Sequence, residues 1–222
     1  MKNIFFFSII CMLGYFNSTA QSVEMFKQKD YKLTFESQDI KFSPDLKEKL
    51  IKTFWTVYPE LAKAYNLNTS KNVTFVIDTA YTGVAATSND RVVFSSKYMI
   101  AHPNDIDVVT HEVMHIVQAY GENAGPGWLT EGIADYARYK FGVNNTAANW
   151  VLPAYKVGQS YENSYRITAR FLVWLENSVK PGIVKELDEQ LRAHAFTENS
   201  WKKLTGKSLD ELWLNYTANP VI

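Results

Sequence analysis

The chain has 222 residues, 46% of them hydrophobic and 21% charged, with 23 Lys plus Arg balanced by 23 Asp plus Glu. This composition excludes a disordered or collagen-like chain, and without net charge or a basic run there is no field to hold nucleic acid. The length suits one domain with a sizeable core, and no internal repeat or low-complexity break divides it.

Residues 1–20 carry Lys2 as their only charge, then an apolar stretch from Ile4 to Phe16, then Asn17, Ser18, Thr19 and Ala20. That is the layout of a secretory signal peptide cleaved after Ala20. The apolar stretch is shorter than the ~20 residues a membrane span needs, so export without stable membrane insertion is expected. The predicted product is a secreted or periplasmic domain of residues 21–222. Cys11, the sole cysteine, leaves with the signal segment, and the mature domain has no disulfide to rely on.

Within that domain, residues 31–36 alternate apolar and polar side chains and predict a half-buried strand. Ser43 then precedes a helical pattern from Pro44 to about Tyr65, with Leu46, Leu50, Phe54, Tyr58 and Leu61 recurring every three or four residues. Strands are predicted at 72–78 and 91–95, with 83–87 as an edge segment between them. Asn104 is placed as the N-cap of a helix that runs to Tyr120 and stops at Gly121. Further helices are predicted at about 129–141, 164–178, 182–194 and 209–216, the last opened by a Ser208–Glu211 capping box. The stripe of Phe171, Trp174 and Leu175 reads as core. Strands first and helices after describe an α+β fold, with a small N-terminal mixed sheet and a helix before a mostly helical C-terminal half.

Chemistry concentrates on two of these helices. His111-Glu112-Val113-Met114-His115 is an H-E-x-x-H pattern inside a predicted helix. Four residues apart, the two imidazoles share one face and both nitrogens reach a single Zn²⁺ at ~2.0–2.1 Å. Glu112 lies about 100° round the helix, suited to act as a base on water rather than as a ligand. A catalytic zinc needs a third protein ligand, and Glu131 on the next helix is the candidate. The short Gly125-Pro126-Gly127 connection folds that helix back to bring Glu131 under the histidines. Asp135, four residues on, shares its face and is expected to accept the spare ring N–H of a ligand histidine. Gly132 between them suggests close helix packing at this point.

Together His111-Glu112-x-x-His115-x-x-Gln118 and Trp128-Leu129-x-Glu131-Gly132-Ile133-Ala134-Asp135-Tyr136 closely resemble the basic secretory protein family of plants and bacteria, gluzincin-type zinc metallopeptidases. Residues 83–87 and 164–172 resemble its flanking segments, so the likeness spans about 31–216. The resemblance implies a zincin-like fold, zinc bound by His111, His115 and Glu131, and Glu112 as the general base in hydrolysis of a peptide or protein substrate. It also makes Tyr165, at the head of a helix in the family-like segment, the candidate donor to the oxyanion, with Tyr161 and Arg170 as rivals. By the same resemblance, the strand at 91–95 is the expected edge for an extended substrate. Unlike the family's name, this chain is not basic. The alternative is an inactive zincin-like module binding peptide or glycan, and the intact Glu112 speaks against it. His102 and His194 are expected to be exposed and uninvolved.

Overall fold

A computed structural model describes residues 22–222, so the expected signal peptide and Cys11 lie outside the described residues. Among those described, no helix is long and apolar enough to cross a membrane.

The N-terminal half is a five-stranded mixed sheet of order β1-β2-β3-β5-β4. Its centre is parallel: β2 (Tyr31–Ser37), β3 (Asn72–Asp78) and β5 (Arg91–Ser95) run together, with β1 (Ser22–Gln28) and β4 (Ala85–Ser88) antiparallel on the edges. A parallel step needs a crossover, and α1 (Pro44–Tyr65) supplies it between β2 and β3. The Ser43 hydroxyl caps α1 by accepting the N–H of Leu46 at 3.3 Å. On its buried face Phe54 meets Phe75 edge-on at 5.5 Å, and Phe75 meets Phe94 at 5.1 Å, joining helix and sheet in one core.

Two strand expectations change. The segment 91–95 is not an edge, because β5 pairs with β3 on one side and β4 on the other; the edge is β4. Asn89, with φ of 51°, turns β4 back onto β5 in a two-residue loop. In addition, β1 escapes the sequence pattern because it has no buried face: Val23 and Met25 are exposed, and only pairing to β2 defines it.

The helical half packs around α3 (Val108–Gln118), α4 (Gly127–Phe141) and α5 (Tyr165–Ser178), followed by α6 (Ile183–Arg192), α7 (Asn199–Thr205) and α8 (Leu209–Ala218), with the short α2 (Ser96–Ala101) after β5. Phe171, Trp174 and Leu175 are buried as expected, the first two packed against Tyr216. Gly132 does mark a close approach, but to α5 rather than α3: a Cβ there would lie 2.3 Å from Thr168 Cγ2.

At both ends α3 is shorter than its sequence suggests, for tertiary reasons. Residues 102–107 form turns, so the N-cap is Asp107 rather than Asn104. The Asp107 carboxylate bonds Thr110 and accepts the N–H groups of Val143 and Asn144, pinning the start of α3 to the end of α4. At the other end Ala119 takes a left-handed φ of 44°, and the last carbonyls are claimed from outside. Asn66 donates to Val117 O at 2.8 Å, Thr69 to Ile116 O at 3.2 Å, and Arg192 to Val117 O and Gln118 O at 3.3 and 3.2 Å.

Arg192 also pairs with Asp188, a fully buried carboxylate that accepts from the Tyr120 hydroxyl at 2.8 Å and whose pKa is raised by burial. Removing one partner of such a pair leaves a buried charge uncompensated, so Arg192→Ala is expected to cost about 3 kcal/mol. At ~2–4 °C per kcal/mol in a domain of this size, the melting midpoint should fall by roughly 6–12 °C. A calorimetric melt unchanged from wild type would mean that Asn66 and Thr69 alone hold the helix end.

Candidate metal centre and cleft

The two central helices bring three donor atoms to one point. His111 Nε2 lies 3.2 Å from His115 Nε2 and 3.2 Å from Glu131 Oε2, and His115 Nε2 lies 3.5 Å from that oxygen. Among the described residues this is the one such cluster of His, Cys, Asp or Glu able to hold a metal ion. Atoms ~2.0–2.1 Å from a zinc at tetrahedral angles stand roughly 3.3–3.4 Å apart, so the triangle has the size a zinc requires.

The protons point the same way. His111 Nδ1 donates to Asp135 Oδ1 at 2.7 Å, within a buried contact. His115 Nδ1 lies 2.7 Å from Gln118 Oε1, and the Gln118 amide nitrogen is committed as donor to Thr130 O at 2.9 Å. That amide can therefore only accept at its oxygen, and both rings carry a proton on Nδ1. Both Nε2 atoms and a carboxylate oxygen then converge on one point, where a cation is called for, either a proton on Nε2 or a metal ion in its place.

Charge follows geometry. Burial works against a charged His111, but the hydrogen bonds to Asp135 and Glu131 outweigh it and raise the imidazolium pKa to about 10. Burial likewise works against ionised Glu131, and the two histidines overcome it, holding its carboxyl well below the usual range. A metal must therefore displace a proton from His111. Because the ring is protonated below about pH 10, zinc affinity is expected to rise with pH from 6 to 9, gaining roughly tenfold per unit for a single proton released. Calorimetric titration in two buffers of different ionisation enthalpy counts that proton; a count of zero would contradict the coupling.

Glu112 is buried on α3 and borders a cleft of about 970 Å³ that also exposes His111, His115 and Glu131. Its Oε2 accepts from the Thr87 hydroxyl at 2.6 Å. Tyr165, 54% exposed, stacks on the His111 ring with centroids 6.0 Å apart and planes 21° from parallel. The negative charge of Glu131, then burial, raises the pKa of its phenol. Ser164 and Tyr165 both adopt left-handed φ, 62° and 50°, a strained start to α5 that turns the ring over the histidine.

The two rivals to Tyr165 are engaged elsewhere: Tyr161 donates to Asp210 at 3.0 Å and Arg170 to Pro220 O at 2.9 Å, and neither lines the cleft. His102 and His194 are exposed and do not line it either. Arg138, also on the cleft wall, pairs with Asp105 and lies 4.5 Å over Trp150. Two neighbours of the site are absent from the sequence reading as functional residues. Gln118, three residues beyond His115, is signalled by its helical spacing; Thr87, 25 residues from Glu112, is signalled only by its place in the family-like segment 83–87, which gives it no partner.

A family model described as peptidase of plants and bacteria matches residues 21–216. The chain belongs to that family. It is the family the motif residues resemble, and membership supports a peptidase-like role. No curated protein matches the chain in sequence. Among solved structures, an M1 zinc metallopeptidase variant bound to L-arginine aligns at 14% identity and a TM-score of 0.49, over 90% of this chain and 48% of its own. The M1 zinc metallopeptidase from Deinococcus radiodurans aligns at 14% and 0.45, over 91% and 48%. This chain spans about half the length of these structures.

Proposed function

We propose that the chain is an exported, zinc-dependent peptidase of zincin-like fold that hydrolyses peptide bonds in a peptide or protein substrate. The observation that carries this is the convergence of two Nε2 atoms and the Glu131 carboxylate on one centre, beside a glutamate that opens on the same cleft. Membership in a peptidase family supports it. His111, His115 and Glu131 would hold the ion, with Asp135 and Gln118 fixing the two rings. Zinc bound there would supply Lewis acidity, bringing a water pKa towards ~7 and polarising a carbonyl.

The chain's own groups do the rest. Glu112 takes the proton of the attacking water and passes it to the leaving amine. Tyr165 stands over His111 as the donor for the developing oxyanion. Strand β4, with Val84 to Thr87 on the cleft wall, offers the edge along which an extended substrate pairs.

Purified residues 21–222 should contain close to one zinc per chain and cleave an unstructured protein such as casein, with turnover lost to a chelator and restored by zinc. Stoichiometric zinc with no turnover on a broad peptide library would replace this reading with a binding module.

A further inference from the structure

We infer that Thr87 is a positioning residue, which suspends the Glu112 carboxylate from the edge strand and fixes which of its oxygens faces the cleft; the inference rests on the peptidase reading. Thr87 Oγ1 lies 2.6 Å from Glu112 Oε2 and 3.0 Å from the main-chain oxygen of the same residue. A hydroxyl has one proton to give, and the charged acceptor at the shorter distance takes it. The approach to the main-chain oxygen sets Oγ1 against the backbone of α3, so the anchor and the carboxylate share one frame. Threonine suits this duty because its branched side chain is stiff about χ1. With Oε2 so held, Oε1 makes no hydrogen bond among the described residues and remains to meet water.

The backbone of Thr87 adds a second duty. Ser95 N–H donates to Val84 O at 3.0 Å, and Ala85 pairs with Phe94 in the antiparallel register of β4 and β5. Bonded and non-bonded pairs alternate in such a ladder, so Val84 and Ala86 spend their groups on β5 while those of Ala85 and Thr87 point off the sheet. The Tyr81 hydroxyl reaching Ala85 O from outside at 3.2 Å agrees with this. A peptide paired along β4 therefore bonds to the main chain of the residue whose side chain holds the base. One residue sets the register of both, and an error of ~1 Å between them costs ~10²-fold in rate.

Thr87→Val removes the hydroxyl and keeps the shape. The expected result is a kcat lowered ~10–100-fold with KM and zinc content unchanged, recovered by Thr87→Ser. Crystal structures give a reading independent of turnover: the Glu112 carboxylate should hold one conformer against Thr87 in the wild type and leave that position in Thr87→Val. A carboxylate that stays put in the valine variant overturns the inference, whether or not the protein cleaves anything. Equal damage in the serine and valine variants would reduce Thr87 to a packing residue. A wild type without zinc or turnover would instead sink the peptidase reading, and the carboxylate position would still decide the anchor.

Discussion

Glu131→Ala is expected to strip zinc from the purified chain and abolish cleavage, while Asp135→Asn keeps the metal with affinity lowered ~10–100-fold. The two acids sit four residues apart on α4 and differ in which nitrogen they face. Glu131 meets the Nε2 side, 3.2 Å from His111 and 3.5 Å from His115, where a cation would be shared. Asp135 meets His111 Nδ1 at 2.7 Å, so it acts on the ring and not on the ion. Without Glu131 only the two imidazoles remain, and the centre loses its only carboxylate. In Asp135→Asn the side-chain oxygen still accepts from Nδ1 and keeps the tautomer, and only the charge behind the ring is lost. Competition against a chromophoric chelator separates the two, and Glu131→Ala binding zinc as the wild type does would remove that residue from the ligand set. Because Glu131 is partly exposed and outside the hydrophobic core, the variant should retain the wild-type circular dichroism spectrum.

Local patterning carried a large part of this fold. The limits of α1, β3 and β5 follow from periodicity and capping alone, and the four-residue spacings of His111 with His115 and of Glu131 with Asp135 put each pair on one helix face, three of the four meeting at one centre and Asp135 behind the His111 ring. What the sequence withheld was set by distant partners. The ends of α3 are decided by Asp107 reaching Val143 and by Arg192 reaching Val117, contacts 36 and 75 residues apart. The order of the sheet was equally hidden: a β-rich run such as 91–95 looks the same at an edge or inside, and only the turn at Asn89 and the pairing of both its sides show that β4 lies outermost. Gly132 signalled a close approach without saying to which helix. Thr87 meets Glu112 through that same sheet order, so the family-like segment 83–87 could mark the residue without naming its partner.

Glu112→Gln should separate chemistry from binding as cleanly as Glu131→Ala removes both. The expected effect is a kcat lowered ~10²–10⁴-fold, equivalent to about 3–5 kcal/mol of transition-state stabilisation, with zinc content and melting midpoint unchanged. Glutamine has the shape of glutamate, and its amide oxygen still accepts the Thr87 hydroxyl now given to Oε2 at 2.6 Å, so the cleft wall keeps its form. The amide nitrogen carries no lone pair able to take a proton from water, and the variant can neither generate the nucleophile nor protonate the leaving amine. His111, His115 and Glu131 are untouched, and so are the hydrogen bonds from Nδ1 to Asp135 and Gln118 that orient the rings. Metal should therefore bind as tightly as in the wild type, and a peptide should still pair along β4, giving a variant that captures substrate without turning it over. Cleavage at the wild-type rate by a zinc-loaded Glu112→Gln protein would refute the assignment of the base, since no other carboxylate in the cleft is available: Glu131 and Asp135 are engaged by the histidines and Asp105 by Arg138 and Tyr98.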